Sequence, residues 1–128
     1  MSEAEPQKYN ITCRVEGIEL IGQRLFAVNS QLKRRTAEVM QRHMNEAVAE
    51  SQVETAARGW RLSETIRVSV IDAENLIVEG GCYAWYAGFP EFGTIKQNAQ
   101  PFWRPFVWNH FFEMLRELGA LQRELYGR

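Results

Sequence analysis

The sequence predicts an α+β fold with two N-terminal helices, an antiparallel sheet of three or four strands, and a C-terminal helix packed on that sheet. Three observations carry this expectation. Apolar residues recur at helical spacing through residues 18–48 and again through 105–125. The period drops to two after Gly59-Trp60, where Leu62, Ile66, Val68 and Val70 share a parity. The turn-forming run Asp72-Ala73-Glu74-Asn75 then separates that segment from the apolar Leu76-Ile77-Val78, as a hairpin requires.

Taken in order, residues 1–10 read as a loose tail, and residues 11–128 as a single domain. Ile11 to Val15 alternates weakly and suits a short strand. Ile18, Ile21, Leu25 and Val28 follow at spacings of 3, 4 and 3, one face of a helix. Asn29-Ser30 interrupts that face and offers an N-cap for a longer helix. Leu32, Thr36, Val39/Met40, His43/Met44 and Ala47/Val48 form the longer helix's stripe, while Arg34, Glu38, Arg42 and Glu46 step along its other side at i,i+4. The hairpin strand after the turn is expected to end at Gly80-Gly81, and Tyr83 to Tyr86 suits a third strand by composition. Residues 87–101, punctuated by Gly88, Pro90 and Gly93, read as a long ordered loop. Pro105 can open the last helix. Phe111, Met114, Leu118, Leu121 and Leu125 mark one stripe of that helix, and Trp108, Phe112 and Leu115 add a second. A monomer's surface helix needs only one buried stripe. The excess points to a helix sandwiched within the domain or packed on another subunit.

Composition excludes several classes. The chain has 128 residues, 45% apolar and 24% charged, ordinary for a globular fold and wrong for a disordered one. It holds no apolar run of the ~18 residues that a membrane helix needs, and its acidic first residues lack the apolar core of a secretory signal. Two cysteines, Cys13 and Cys82, are too few for a disulfide scaffold and suit reduced thiols in a cytoplasm. Formal net charge is −1. No segment is basic enough to grip nucleic acid through counterion release. Lys33-Arg34-Arg35 reads as a solvated helix face.

No phosphate loop, dinucleotide fingerprint, nucleophile elbow or HExxH element occurs. The 15 glutamates are accompanied by one aspartate, Asp72, in the expected turn. His43 falls on an apolar stripe, and His110 has no neighbouring Cys or Asp. With two histidines so far apart in sequence, no metal site is expected. Glu91 is the only carboxylate in the aromatic-rich stretch and has no evident partner for acid catalysis. The sequence therefore predicts no enzymatic activity, no cofactor and no metal.

The aromatic distribution is anomalous. Eleven of fifteen aromatics lie between Tyr83 and Phe112. They can form core, a protein interface, or a stacking platform for bases or a small ligand. Only Lys96 and Arg104 lie among them to serve a platform. Roughly half are expected in the core and the rest at interfaces.

Within this stretch Glu91-Phe92-Gly93-Thr94, five intervening residues and Gln100-Pro101-Phe102-Trp103-Arg104-Pro105 resemble the hallmark of a bacteriophage tail-component family. Its members are head–tail joining proteins (neck or tail-completion proteins) of long-tailed phages. Tyr83-Ala84-Trp85-Tyr86 is similar to the Tyr-Ala-x-Tyr segment that precedes the turn in that family, and Leu62-Ser63-Glu64-Thr65-Ile66 to its Leu-x-x-(Ser/Thr)-Ile strand. Two departures stand out. Ala87-Gly88-Phe89-Pro90 is inserted before the acidic turn, so a strand must end early or bulge there. Thr55 to Trp60 replaces the family's Pro and Thr-Gly.

The resemblance implies a structural virion protein, made in the bacterial cytoplasm and assembled as a homo-oligomeric ring at the head–tail junction. Its expected partners are copies of itself and neighbouring connector, neck and tail proteins. DNA passes through the lumen without sequence-specific binding, and no membrane is involved. A small-ligand or nucleic-acid-binding module built on the aromatics of 83–112 is the alternative. The candidate interface and loop residues are Trp85, Phe92, Gly93, Thr94, Ile95, Lys96, Phe102, Trp103, Arg104, Pro105 and Trp108. Phe102 is expected to anchor the loop in the core. Arg104, set between two prolines, is expected to pair with Glu91, to pair with an acid of the next subunit, or to stand solvated at the helix start. The loop would then be held at its ends, with Ile95 and Lys96 reaching out at its tip.

Overall fold

The computed structural model describes residues 10–17 and 30–126. Along them run strand β1 (Ile11–Glu16), helix α1 (Ser30–Ala57), a 3-10 turn (Arg61–Thr65), strands β2 (Ile66–Asp72) and β3 (Ile77–Cys82), the short helix α2 (Gly88–Phe92) and helix α3 (Arg104–Tyr126). The fold is α+β with a three-stranded antiparallel sheet in the order β1-β3-β2. The expected helix over 18–28 and the tail over 1–9 lie outside the described residues, so α1 is the first helix on view.

α1 has 28 residues, ~42 Å at 1.5 Å per residue. Its buried side is the expected stripe carried further: Leu32, Thr36, Met40, Met44, Ala47, Val48, Ser51 and Thr55. The small polar members are satisfied locally. Thr55 Oγ1 donates to the Ser51 carbonyl at 3.0 Å, and Ser51 Oγ to the Phe102 carbonyl at 2.7 Å. The helix ends in a left-handed glycine: Gly59 has φ 77°, Trp60 N–H bonds the Thr55 carbonyl and Gly59 N–H that of Ala56. These are the paired bonds of a Schellman cap. One side of α1 packs on β2 and β3, and α3 lies along it. The contacts of α3 are mainly with α1, and it approaches the sheet at β1. Val107, Phe111 and Met114 of α3 line a small cavity together with Cys13 and Val15 of β1.

The hairpin forms as expected, with a shorter β2. Arg61 to Thr65 winds as a 3-10 turn with Leu62 buried, and the strand begins at Ile66. Asp72 accepts from the Asn75 amide at 3.2 Å and from its side chain at 2.9 Å, which closes the turn and lowers the Asp72 pKa. β3 runs through Gly80-Gly81 instead of ending there. Met44 of α1 lies where a side chain on Gly80 would project, and the β1 backbone at Ile11 leaves no room for one on Gly81. Glycine therefore sits mid-strand because other parts of the chain come close. Tyr83 to Tyr86 is not a strand. Tyr83 N–H extends the ladder once, to the Thr65 carbonyl, and Ala84 to Ala87 then closes a turn. The inserted Ala87 to Pro90 enters α2, so the expected loop over 87–101 begins as a helical turn.

Candidate interaction surface

Trp103 caps α3 with its carbonyl, which accepts Val107 N–H at 3.0 Å, but its indole cannot satisfy the orphan N–H groups of a helix start. Pro105 removes one of those groups, having no N–H. Glu91 takes that of Arg104 and the two that precede it. Its carboxylate, fully buried, accepts the backbone N–H of Phe102 at 2.9 Å and of Trp103 and Arg104 at 3.0 Å each. Arg104 Nε donates to the same carboxylate at 2.9 Å, and its Nη2 to the Glu91 carbonyl at 3.2 Å. The guanidinium also lies 4.4 Å from the centre of the Phe92 ring. The intrachain partner expected for Arg104 is thus the one found. The arrangement joins an anion to the positive end of a helix, strengthened by a charged donor.

This clasp closes the base of the loop. Gln100 N–H bonds the Pro90 carbonyl at 2.7 Å. Arg58, at the end of α1, donates to the carbonyls of Gln100 at 2.9 Å and Pro101 at 3.1 Å. Gly93 has φ 82°, and a side chain there would strike the Ala99 backbone, so both conformation and space demand glycine. Thr94 and Gln97 exchange backbone hydrogen bonds across the tip. Ile95 between them is 104% exposed, and Lys96 is exposed beside it.

Two candidate residues lie in the interior, Phe102 as expected and Trp103 against expectation. Phe102 and Trp103 are buried. Phe102 meets Trp60 edge-on at 6.1 Å, as an anchor should, and Trp103 is core because the clasp turns the start of α3 inward. Pro105 is exposed in the first turn of α3. Six of the eleven clustered aromatics are exposed: Trp85, Tyr86, Phe89, Phe92, Trp108 and Phe112. On α3, Arg104, Trp108, Phe112 and Leu115 share one face at spacings of 4, 4 and 3, with Trp108 stacked on Phe112 at 5.8 Å. Phe92 extends that face over Arg104. Trp85 packs edge-on against Tyr86 and Phe89 as a second exposed group. Between Trp108 and the outer strand β1 lies a groove of about 500 Å³, flanked by Cys13, Val15, Val107 and Phe111.

The thiols do not look reactive. Burial pushes the Cys13 pKa up, helped by the Glu79 charge, and burial also raises that of Cys82 against a hydrogen bond from Thr65. The two histidines, distant in sequence, meet in the fold. His43 and His110, 67 residues apart, are brought together between α1 and α3 with ring centroids 5.4 Å apart. Glu46, Glu50 and Glu117 surround them. Each helix shows its half of this cluster at i,i+3 or i,i+7 spacing, but no pattern within one helix reveals its register against the other. Among the described residues no helix is long and apolar enough to cross a membrane. Comparison with protein-family models, curated proteins and solved structures returns no match for this chain.

Proposed function

We propose that the chain is a structural virion protein that forms a ring at a phage head–tail junction and acts in tail completion or head–tail joining. The observation that carries the reading is the use made of the motif residues. Glu91, Gly93, Phe102 and Arg104 build a rigid base from which Ile95 and Lys96 project into solvent. Such a base suits presentation of a contact loop; nothing in it offers an acid, base or nucleophile to a substrate. The exposed α3 face and the groove beside β1 supply further surface for copy-to-copy contact, since a ring joins two different faces of each subunit. The proposal includes the helix expected over 18–28, the virion location, and connector and tail proteins as neighbours. A nucleic-acid platform is less well supported. It needs free cations among the exposed rings, and Arg104 is already committed to Glu91 and Phe92.

The test replaces Ile95 and Lys96 with Gly and Ser in the phage that carries the protein. The expected outcome is a variant that melts like the parent while heads and tails accumulate unjoined, counted by electron microscopy. A normal yield of infectious tailed particles would remove the loop tip from the joining surface.

A further inference from the structure

The two imidazoles between α1 and α3 face each other through the same kind of nitrogen. His43 Nδ1 and His110 Nδ1 are 3.2 Å apart. Each ring's other nitrogen contacts a carboxylate: His43 Nε2 lies 2.7 Å from Glu117, and His110 Nε2 lies 3.1 Å from Glu50. An ionised carboxylate only accepts, so both Nε2 atoms carry the hydrogen in these contacts. Arg42 Nη2 is also 3.2 Å from His43 Nε2, but the Glu117 oxygen is closer, and Arg42 pairs with that same oxygen. With the hydrogens on the Nε2 atoms, the two Nδ1 lone pairs face each other across a gap that either a shared proton or a metal ion can bridge.

The gap has the dimensions of a metal site. Glu46 Oε1 lies 3.6 Å from His110 Nδ1 and 4.0 Å from His43 Nδ1, and the three ligand atoms fall within 4.8 Å of one another. A tetrahedral ion with bonds of ~2.0–2.1 Å separates its ligands by ~3.3 Å. The nitrogens are at that spacing, and the carboxylate, on an exposed flexible side chain, is a fraction of an ångström beyond it. Histidine ligands characteristically donate their other N–H to a carboxylate, as both do here. Three carboxylates against the single guanidinium of Arg42 leave two negative charges, matched to a divalent ion. A cavity of about 20 Å³ adjoins both rings, lined also by Met40, Met44 and Met114. It has room for one water as a fourth ligand.

We propose that His43, His110 and Glu46 bind a divalent borderline-soft cation of the Zn²⁺ kind, which staples α1 to α3. The two-histidine, one-carboxylate set favours zinc over the hard cations, which take oxygen ligands. Glu50 and Glu117 are positioning residues that hold the ring tautomers.

The test is calorimetric titration of chelator-stripped protein with zinc sulfate near neutral pH, with melting curves taken with and without zinc. The parent should bind one ion per chain and melt higher in its presence. His110→Gln should abolish both effects. Glu46→Gln, at an exposed position that leaves the fold intact, should weaken binding, and Glu50→Gln should weaken it about 10–100-fold. Cys13→Ser should bind like the parent. No zinc uptake by the parent would overturn the proposal and leave a shared proton between the rings. Undiminished binding by both His110→Gln and Glu46→Gln, or loss only in Cys13→Ser, would overturn the ligand assignment.

Discussion

A fully buried carboxylate ordinarily costs stability, because its charge loses water. Glu91 is retained because four donors replace that water: three backbone N–H groups at the start of α3 and the Arg104 guanidinium. Truncation and neutralisation should therefore differ. Glu91→Ala leaves the buried amides of Phe102 and Trp103 without an acceptor, at roughly 1–3 kcal/mol each, and should destabilise by about 2–5 kcal/mol. Glu91→Gln keeps an acceptor oxygen and should cost about 1–2 kcal/mol. Urea unfolding of both variants checks the order; equal losses would show that the charge, not the acceptor geometry, dominates. The Glu91–Arg104 pair was legible in the sequence because two prolines restrict the backbone about Arg104 and only one carboxylate lies nearby. The three backbone bonds were not legible, since they depend on how α2 and the start of α3 meet in space. Trp103 was read as surface for the same reason: its composition is that of an interface anchor, and only the inward turn at the clasp makes it core.

Among the elements, α1 was the most legible, because about eight turns of amphipathic spacing outweigh any local ambiguity. Its end was less so. Gly59 stands at φ 77° with no atom within 4 Å of where a Cβ would sit. Gly59→Ala thus meets no clash and only the left-handed backbone penalty, and it should destabilise by about 1–2 kcal/mol by thermal melting. An unchanged melt would mean that the helix can end by another route. The sheet was less readable than the helices. Gly80-Gly81 resembles a stop signal, and the sequence alone does not show Met44 of α1 passing over one glycine and β1 crowding the other. Tyr83 to Tyr86 has strand composition, but composition describes a half-buried pleated surface and not the ladder itself. Once the pairing with Thr65 ends, no neighbouring strand remains for that segment.

For the molecule as a whole, the second apolar stripe of α3 was visible as an excess over what a small domain can bury. Trp108, Phe112 and Leu115 are indeed left exposed, at 54%, 58% and 38%. If this face is where copies meet, replacing Trp108 and Phe112 with Ser should leave stability within about 0.5 kcal/mol, as for other surface changes. It should also remove the ring from reconstructed particles. An intact ring in those particles would move the copy-to-copy contact elsewhere. The pairing of the two histidines was the least accessible feature at this scale, because it depends on the axial offset between helices that are separated in sequence by β2, β3 and α2.

The bond between Pro90 and Gln100 divides the chain's design into two independent variables. Inside it, the closed base fixes direction; beyond it, the number of residues in the tip is nearly free. Closing a flexible segment costs only about 0.6 kcal/mol more for each doubling of its length. The reach of the projection can therefore change by insertion or deletion while the core, the clasp and the helix start keep their form. A protein built this way can follow a changing neighbour through the length of one loop, without renegotiating its own stability.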